Sequence, residues 1–154
     1  VLGQPDETNA EAIAPLLQDR DHRVRLTALR AFQGVALPDI VPFLREELVP
    51  GDFKSKDREE MKLLARCYGY SDKKEALDRL QAILKHRRIG QLVAKERPDL
   101  EAALWGMLAT GTDEGRLAVL RASKSFFPAV RKAAEKVIAQ SKVRVDEPDE
   151  EAPS

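Results

Sequence analysis

At 154 residues the chain suits a single domain, and 43% hydrophobic against 34% charged residues excludes a disordered polymer. Lys plus Arg and Asp plus Glu both number 26, and this neutral balance argues against a dedicated binder of nucleic acid or of anionic membrane. Cys67 is the one cysteine, so an internal disulfide is excluded and a reducing, cytoplasmic setting is expected; no apolar run nears the roughly 18–20 residues of a bilayer span.

The chain opens on Val1-Leu2-Gly3, which reads as the tail of a helix and its glycine stop, so residues 1–8 are expected to end an upstream unit of a longer protein. From there helical spacing dominates and strand alternation is nearly absent, with no Asn-Gly or Asp-Gly hairpin turn. A first helix is predicted from the N-cap Asn9 to Gln18, with Ile13, Leu16 and Leu17 inward and Pro15 within it. A tight Asp19-Arg20-Asp21 turn leads to a second, His22 to about Val35, striped by Val24, Ala28, Ala31, Phe32 and Val35. Pro38 opens the next, which buries Ile40, Phe43, Leu44 and Leu48 and ends at Pro50-Gly51-Asp52.

Asp57 is the predicted N-cap of a helix that carries Met61, Leu64, Ala65 and Tyr68 and stops at Gly69. The third pair starts near Asp72 with Leu77, Leu80, Ile83 and Leu84 inward. A basic connection from Lys85 to Arg97 then leads through Pro98-Asp99 into Leu100–Leu108. The fourth pair begins at Thr112-Asp113 with Leu117 and Leu120 inward, turns at Ser123-Lys124-Ser125, and resumes at Pro128 with Val130, Ala134, Val137 and Ile138. Residues 146–154 hold five acids and two prolines with no apolar anchor, which predicts that 142–154 is a disordered acidic tail that could shield a basic patch in cis.

The helix pairs repeat. Ala65-Arg66-Cys67-Tyr68-Gly69 and Ala102-Ala103-Leu104-Trp105-Gly106 share the pattern Ala-x-x-aromatic-Gly, 37 residues apart. Val24-Arg25 with Ala28 returns as Val130-Arg131 with Ala134 at an offset of 106, and as Met61-Lys62 with Ala65 at an offset of 37. Small residues at 28, 65, 102 and 134 imply close helix approaches, and Phe32, Tyr68 and Trp105 are read as fillers of the core.

Asp21-His22-Arg23-Val24-Arg25-Leu26-Thr27-Ala28, after Ala12-Ile13-Ala14-Pro15-Leu16-Leu17, resembles the HEAT repeat family in its short variety related to phycobilisome-lyase repeats. The likeness spans residues 9–141; its middle units depart from the pattern, with Met61-Lys62 and then Pro98-Asp99 where Val-Arg stands elsewhere. It implies an all-α fold, an α-solenoid of about four stacked antiparallel helix pairs, with second helices lining a concave side. It also implies a structural ladder in which Asp19 or Asp21 and Arg25 take part.

Chemistry-bearing motifs are missing from the sequence. His22 and His86 lie far apart, there is no Cys-x-x-Cys or His-Glu-x-x-His, and Gly111-Thr112-Asp113-Glu114-Gly115 reads as a helix–helix turn carrying acids that would repel phosphate. No catalytic, metal or cofactor residue is assigned. The expected role is a non-catalytic protein–protein interaction scaffold, a monomeric module whose partner is another protein. A nucleic-acid binder is the alternative, and a chromophore-lyase-type enzyme ranks below it. The candidate partner-binding residues precede core positions on the second helices: Arg23, Thr27, Arg30, Glu60, Glu101 and Lys136, expected exposed and of mixed charge. The basic connection adds Lys85, Arg87 and Arg88.

Overall fold

The computed structural model describes residues 10–86 and 96–141. Within them the chain is mostly helical, with eight α-helices and two very short strands. The order is α1 (Ala10–Leu17), α2 (His22–Ala31), a 3₁₀ turn (Pro38–Ile40) running into α3 (Val41–Glu47), and β1 (Leu48–Val49) with β2 (Asp52–Phe53). Then come α4 (Arg58–Ser71), α5 (Ala76–Lys85), α6 (Pro98–Ala109), α7 (Asp113–Ala122) and α8 (Pro128–Ser141). Among the described residues no helix is long and apolar enough to cross a membrane. The expected unit 1–8, the acidic segment 142–154 and the middle of the basic connection, 87–95, lie outside the described residues.

Consecutive helices touch, α1 with α2, α3 with α4, α5 with α6 and α7 with α8, and so do α4 with α5 and α6 with α7. Every second helix also meets the next: α2 contacts α4, α4 contacts α6, and α6 contacts α8, the α4–α6 contact being the most extensive. The helix starts follow from local chemistry. Asp21 accepts the Arg23 N–H at 2.9 Å, Asp57 the Glu60 N–H at 2.8 Å, and Thr112 the Gly115 N–H at 3.0 Å. Each satisfies a donor that the helix geometry leaves without a partner, a cap typically worth about 1 kcal/mol.

The core runs through the middle of this series. Ala28, Ala65, Ala102 and Ala134, the small residues of the repeat, are all buried. At the α4–α6 crossing the backbones themselves meet. A Cβ on Gly69 would stand 2.2 Å from the Gly106 carbonyl oxygen, and one on Gly106 would stand 2.7 Å from that of Ala65. The glycines of the Ala-x-x-aromatic-Gly pattern are therefore contact points inside two helices. This corrects the expectation that Gly69 ends its helix, which continues to Ser71.

Other boundaries shift for identifiable reasons. Helix α2 ends at Ala31, short of Val35, because Gly34 takes a φ of +80° that breaks the helical run. The chain after α3 forms a hairpin with Leu48 opposite Phe53 and Val49 opposite Asp52, turned at Pro50-Gly51, where the helix was expected to run through Leu48 and stop. In α1, Leu17 is buried and Leu16 is 40% exposed, and the Ile13 side chain lies outside the described set. In α7 the inward face is Gly115, Ala118, Val119 and Ala122, while Leu117 is 46% exposed and Leu120 only partly covered. The small face wins because it lets α7 close on α6: a Cβ on Gly115 would fall 2.4 Å from the Met107 carbonyl oxygen.

Candidate functional site

The repeated position after the first apolar residue of each second helix carries Arg25, Lys62, Asp99 and Arg131. Two of the four do the same job. Arg25 Nη1 donates to the Asp19 carbonyl at 2.8 Å, and Arg131 Nη1 donates to the Ser125 carbonyl at 2.8 Å, each reaching six residues back. Both fasten the preceding turn to its second helix. Asp99 reverses the charge and receives a bidentate contact from Arg97, with both distances 3.0 Å. Lys62 joins none of these arrangements.

Charges between units are tied by two buried carboxylates. Glu60, only 3% exposed, accepts from Arg25 Nε at 2.7 Å and Nη2 at 3.3 Å, and from Ser55 Oγ at 2.9 Å. Glu101, 8% exposed on α6, accepts from Arg58 Nη1 at 3.2 Å and lies 3.5 Å from Lys136 Nζ. These findings correct the expectation that Glu60 and Glu101 are exposed. The residue preceding a core position on α4 or α6 faces a neighbouring helix, and burial there requires a cation. They also recast the expected ladder. Arg25 pairs with Glu60, Asp19 contributes its backbone carbonyl, and Asp21 caps α2.

Beside this ladder a groove of about 530 Å³ opens, with walls from α4 and α6 and with Gln33, after α2, and Gln140, on α8, also lining it. The half-buried Trp105 ring lies within it. Lys62 Nζ sits 4.1 Å from the ring centroid and the Arg66 guanidinium 5.7 Å, so both cations meet the negative face of one indole. The acids of the groove are already engaged. Glu59 pairs with Arg30 at 2.8 Å, Glu101 with Arg58 and Lys136, and Asp57 with the α4 N-terminus. That backbone N–H bond holds the Asp57 carboxyl below the usual carboxylate range, helped by His22, whose Nε2 is 3.4 Å away.

Lys62 and Arg66 have no carboxylate within ion-pair reach among the described residues. Partial burial, followed by the charge of Arg66, lowers the Lys62 pKa, and the charge of Glu59 opposes them only in part. Like charges four residues apart on a helix disfavour each other by a few tenths of a kcal/mol. The arrangement suits an anionic group that supplies the absent counter-charge.

The residues expected to bind a partner scatter. Arg23 is 89% exposed beside Asp21, Thr27 is exposed, and Arg30 holds Glu59. Lys136 serves Glu101, which alone of the six lines the groove. Lys85 ends α5 in solvent, and Arg87 and Arg88 lie outside the described residues. Lys62, Arg66 and Trp105 were not singled out for binding, since the first two follow core positions and Trp105 read as core. Their available signal was the departure of Lys62 from the Val-Arg pattern, together with Arg66 one turn on. Cys67 belongs to the core: burial pushes its thiol up to about 11, well above the range of an activated thiolate.

No family model, curated protein or solved structure matches the chain.

Proposed function

We propose that the chain is a non-catalytic binding scaffold that holds a segment of another protein in the α4–α6 groove. In this reading the four helix pairs stack as a HEAT-like α-solenoid whose second helices make the binding side. The serial contacts α2–α4–α6–α8 and the matched Arg25 and Arg131 turn ties support that architecture. The observation that carries the function is the groove itself, where Trp105 gathers with Lys62 and Arg66, two cations without an ion pair among the described residues, although neighbouring charges are compensated. Nucleic acid fits less well, because phosphate backbones call for many cations in line and this groove offers three, Arg58 among them already paired, beside three acids. The buried, free Cys67 agrees with a reducing, cytoplasmic setting.

The test is affinity capture from extract of the source cell, comparing the wild-type chain with three variants. These are Arg66→Glu in the groove, Lys73→Glu at an exposed turn, and the combined reversal of Lys85, Arg87 and Arg88. A saturable protein partner kept by wild type and Lys73→Glu but lost by Arg66→Glu is the expected result. Loss only with the triple reversal would move the interface to the basic connection. Recovery of nucleic acid alone, released by moderate salt, would overturn the reading.

A further inference from the structure

We propose that the Lys62–Arg66–Trp105 part of the groove recognises an acidic linear segment of a partner protein, whose carboxylates provide the counter-charges that these two cations lack. The inference rests on the groove being the scaffold's binding surface, and it names the chemistry of what enters.

Charge complementarity carries the argument. The groove's lining balances Arg58, Lys62 and Arg66 against Asp57, Glu59 and Glu101. Glu59 and Glu101 are paired with Arg30, Arg58 and Lys136, however, and Asp57 caps α4, so the cations left without an ion pair among the described residues are Lys62 and Arg66. Lys62 and Arg66 stand one turn apart on α4 and crowd over the same indole. A carboxylate placed between them converts repulsion into two charge-assisted contacts, and the guanidinium can offer it a paired donor edge. The polar neighbours favour a polypeptide over other anions. Gln33 and Gln140 bring amides that match the N–H and C=O groups of an extended backbone. A volume of about 530 Å³ accommodates a few side chains.

Trp105 is the chain's one tryptophan, so its fluorescence reports the site directly. The probe is a capped hexapeptide of alternating glutamate and aspartate, titrated beside its glutamine–asparagine twin and a twelve-residue oligothymidylate. The acidic peptide should shift Trp105 emission saturably, and its affinity should fall as salt rises. The pair Lys62→Gln/Arg66→Gln should weaken it at least about tenfold, the loss of roughly 1.4 kcal/mol. Lys73→Gln should leave it unchanged. Circular dichroism and matched unfolding midpoints establish that the variants fold.

Equal binding of the amide twin would overturn the acidic preference and leave the groove standing as a peptide site. Binding of the oligonucleotide alone would overturn both this inference and the scaffold reading. Acidic-peptide binding that emerges only after deletion of residues 142–154 would make the chain's own Asp146–Glu151 the occupant, against a partner's segment. No response to either peptide would also refute the proposal.

Discussion

Glu60 shows how much a single buried carboxylate can organise. It is nearly sealed from water, yet it accepts three donors from two separate stretches of chain, so its desolvation is offset by charge-assisted bonds. Replacing Glu60 with Ala leaves Arg25 with backbone carbonyls alone and no carboxylate, and should cost about 2–3 kcal/mol in urea unfolding. Glu59→Ala, which removes an exposed pair with Arg30, should change stability by less than about 1 kcal/mol. Similar losses for the two variants would refute the buried ladder. The cap at Asp57 was legible in the sequence, because its donor lies three residues away. The role of Glu60 was not, since its cation lies 35 residues distant and nothing local marks it.

At the scale of the element, the pattern Ala-x-x-aromatic-Gly was visible as a repeat, but the meaning of its glycine was not. A local rule treats Gly as a helix stop, whereas α4 runs through Gly69 because α6 presses against it there. Two effects oppose each other in Gly69→Ala. Higher helix propensity favours alanine by about 1 kcal/mol, and the new methyl group would collide with a main-chain oxygen that only a shift of α6 can relieve. Overpacking against rigid backbone should win, giving a net loss of about 1–3 kcal/mol. Thermal unfolding of Gly69→Ala settles the sign, and an unchanged or raised midpoint would mean that the two helices are less tightly opposed. Helix α7 teaches a related lesson. Its leucines and its small residues both satisfy helical spacing, and the face that buries is the one thin enough for α6 to approach.

Across the whole molecule, cohesion is uneven. Helices α4 and α6 are covered on several sides, by each other and by α2, α3, α5, α7 and α8. By contrast α1 leans chiefly on α2 and the 3₁₀ turn, and among its described side chains only Leu17 is fully buried. Native-state hydrogen exchange should therefore be slowest in α4 and α6 and fastest in α1, following the number of apolar neighbours that must part before an amide opens. Uniform protection along the chain would count against the serial packing. The groove lies on the most extensively packed helices, which gives Lys62, Arg66 and Trp105 supported positions from which to read a ligand.

The sequence by itself determined the helical class, the cap at Asp57, the helix starts after Asp21 and Thr112, and the repeated small positions. All of these follow from periodicity and hydrogen bonds that reach two or three residues. Only the tertiary structure decided which charges are compensated and which are not. That depends on pairings 35 to 43 residues apart, such as Arg25 with Glu60 and Arg58 with Glu101, and on how closely α4 and α6 approach. Lys62 and Arg66 become a candidate site through what their neighbours have already used, because a charge's surplus is a property of its surroundings.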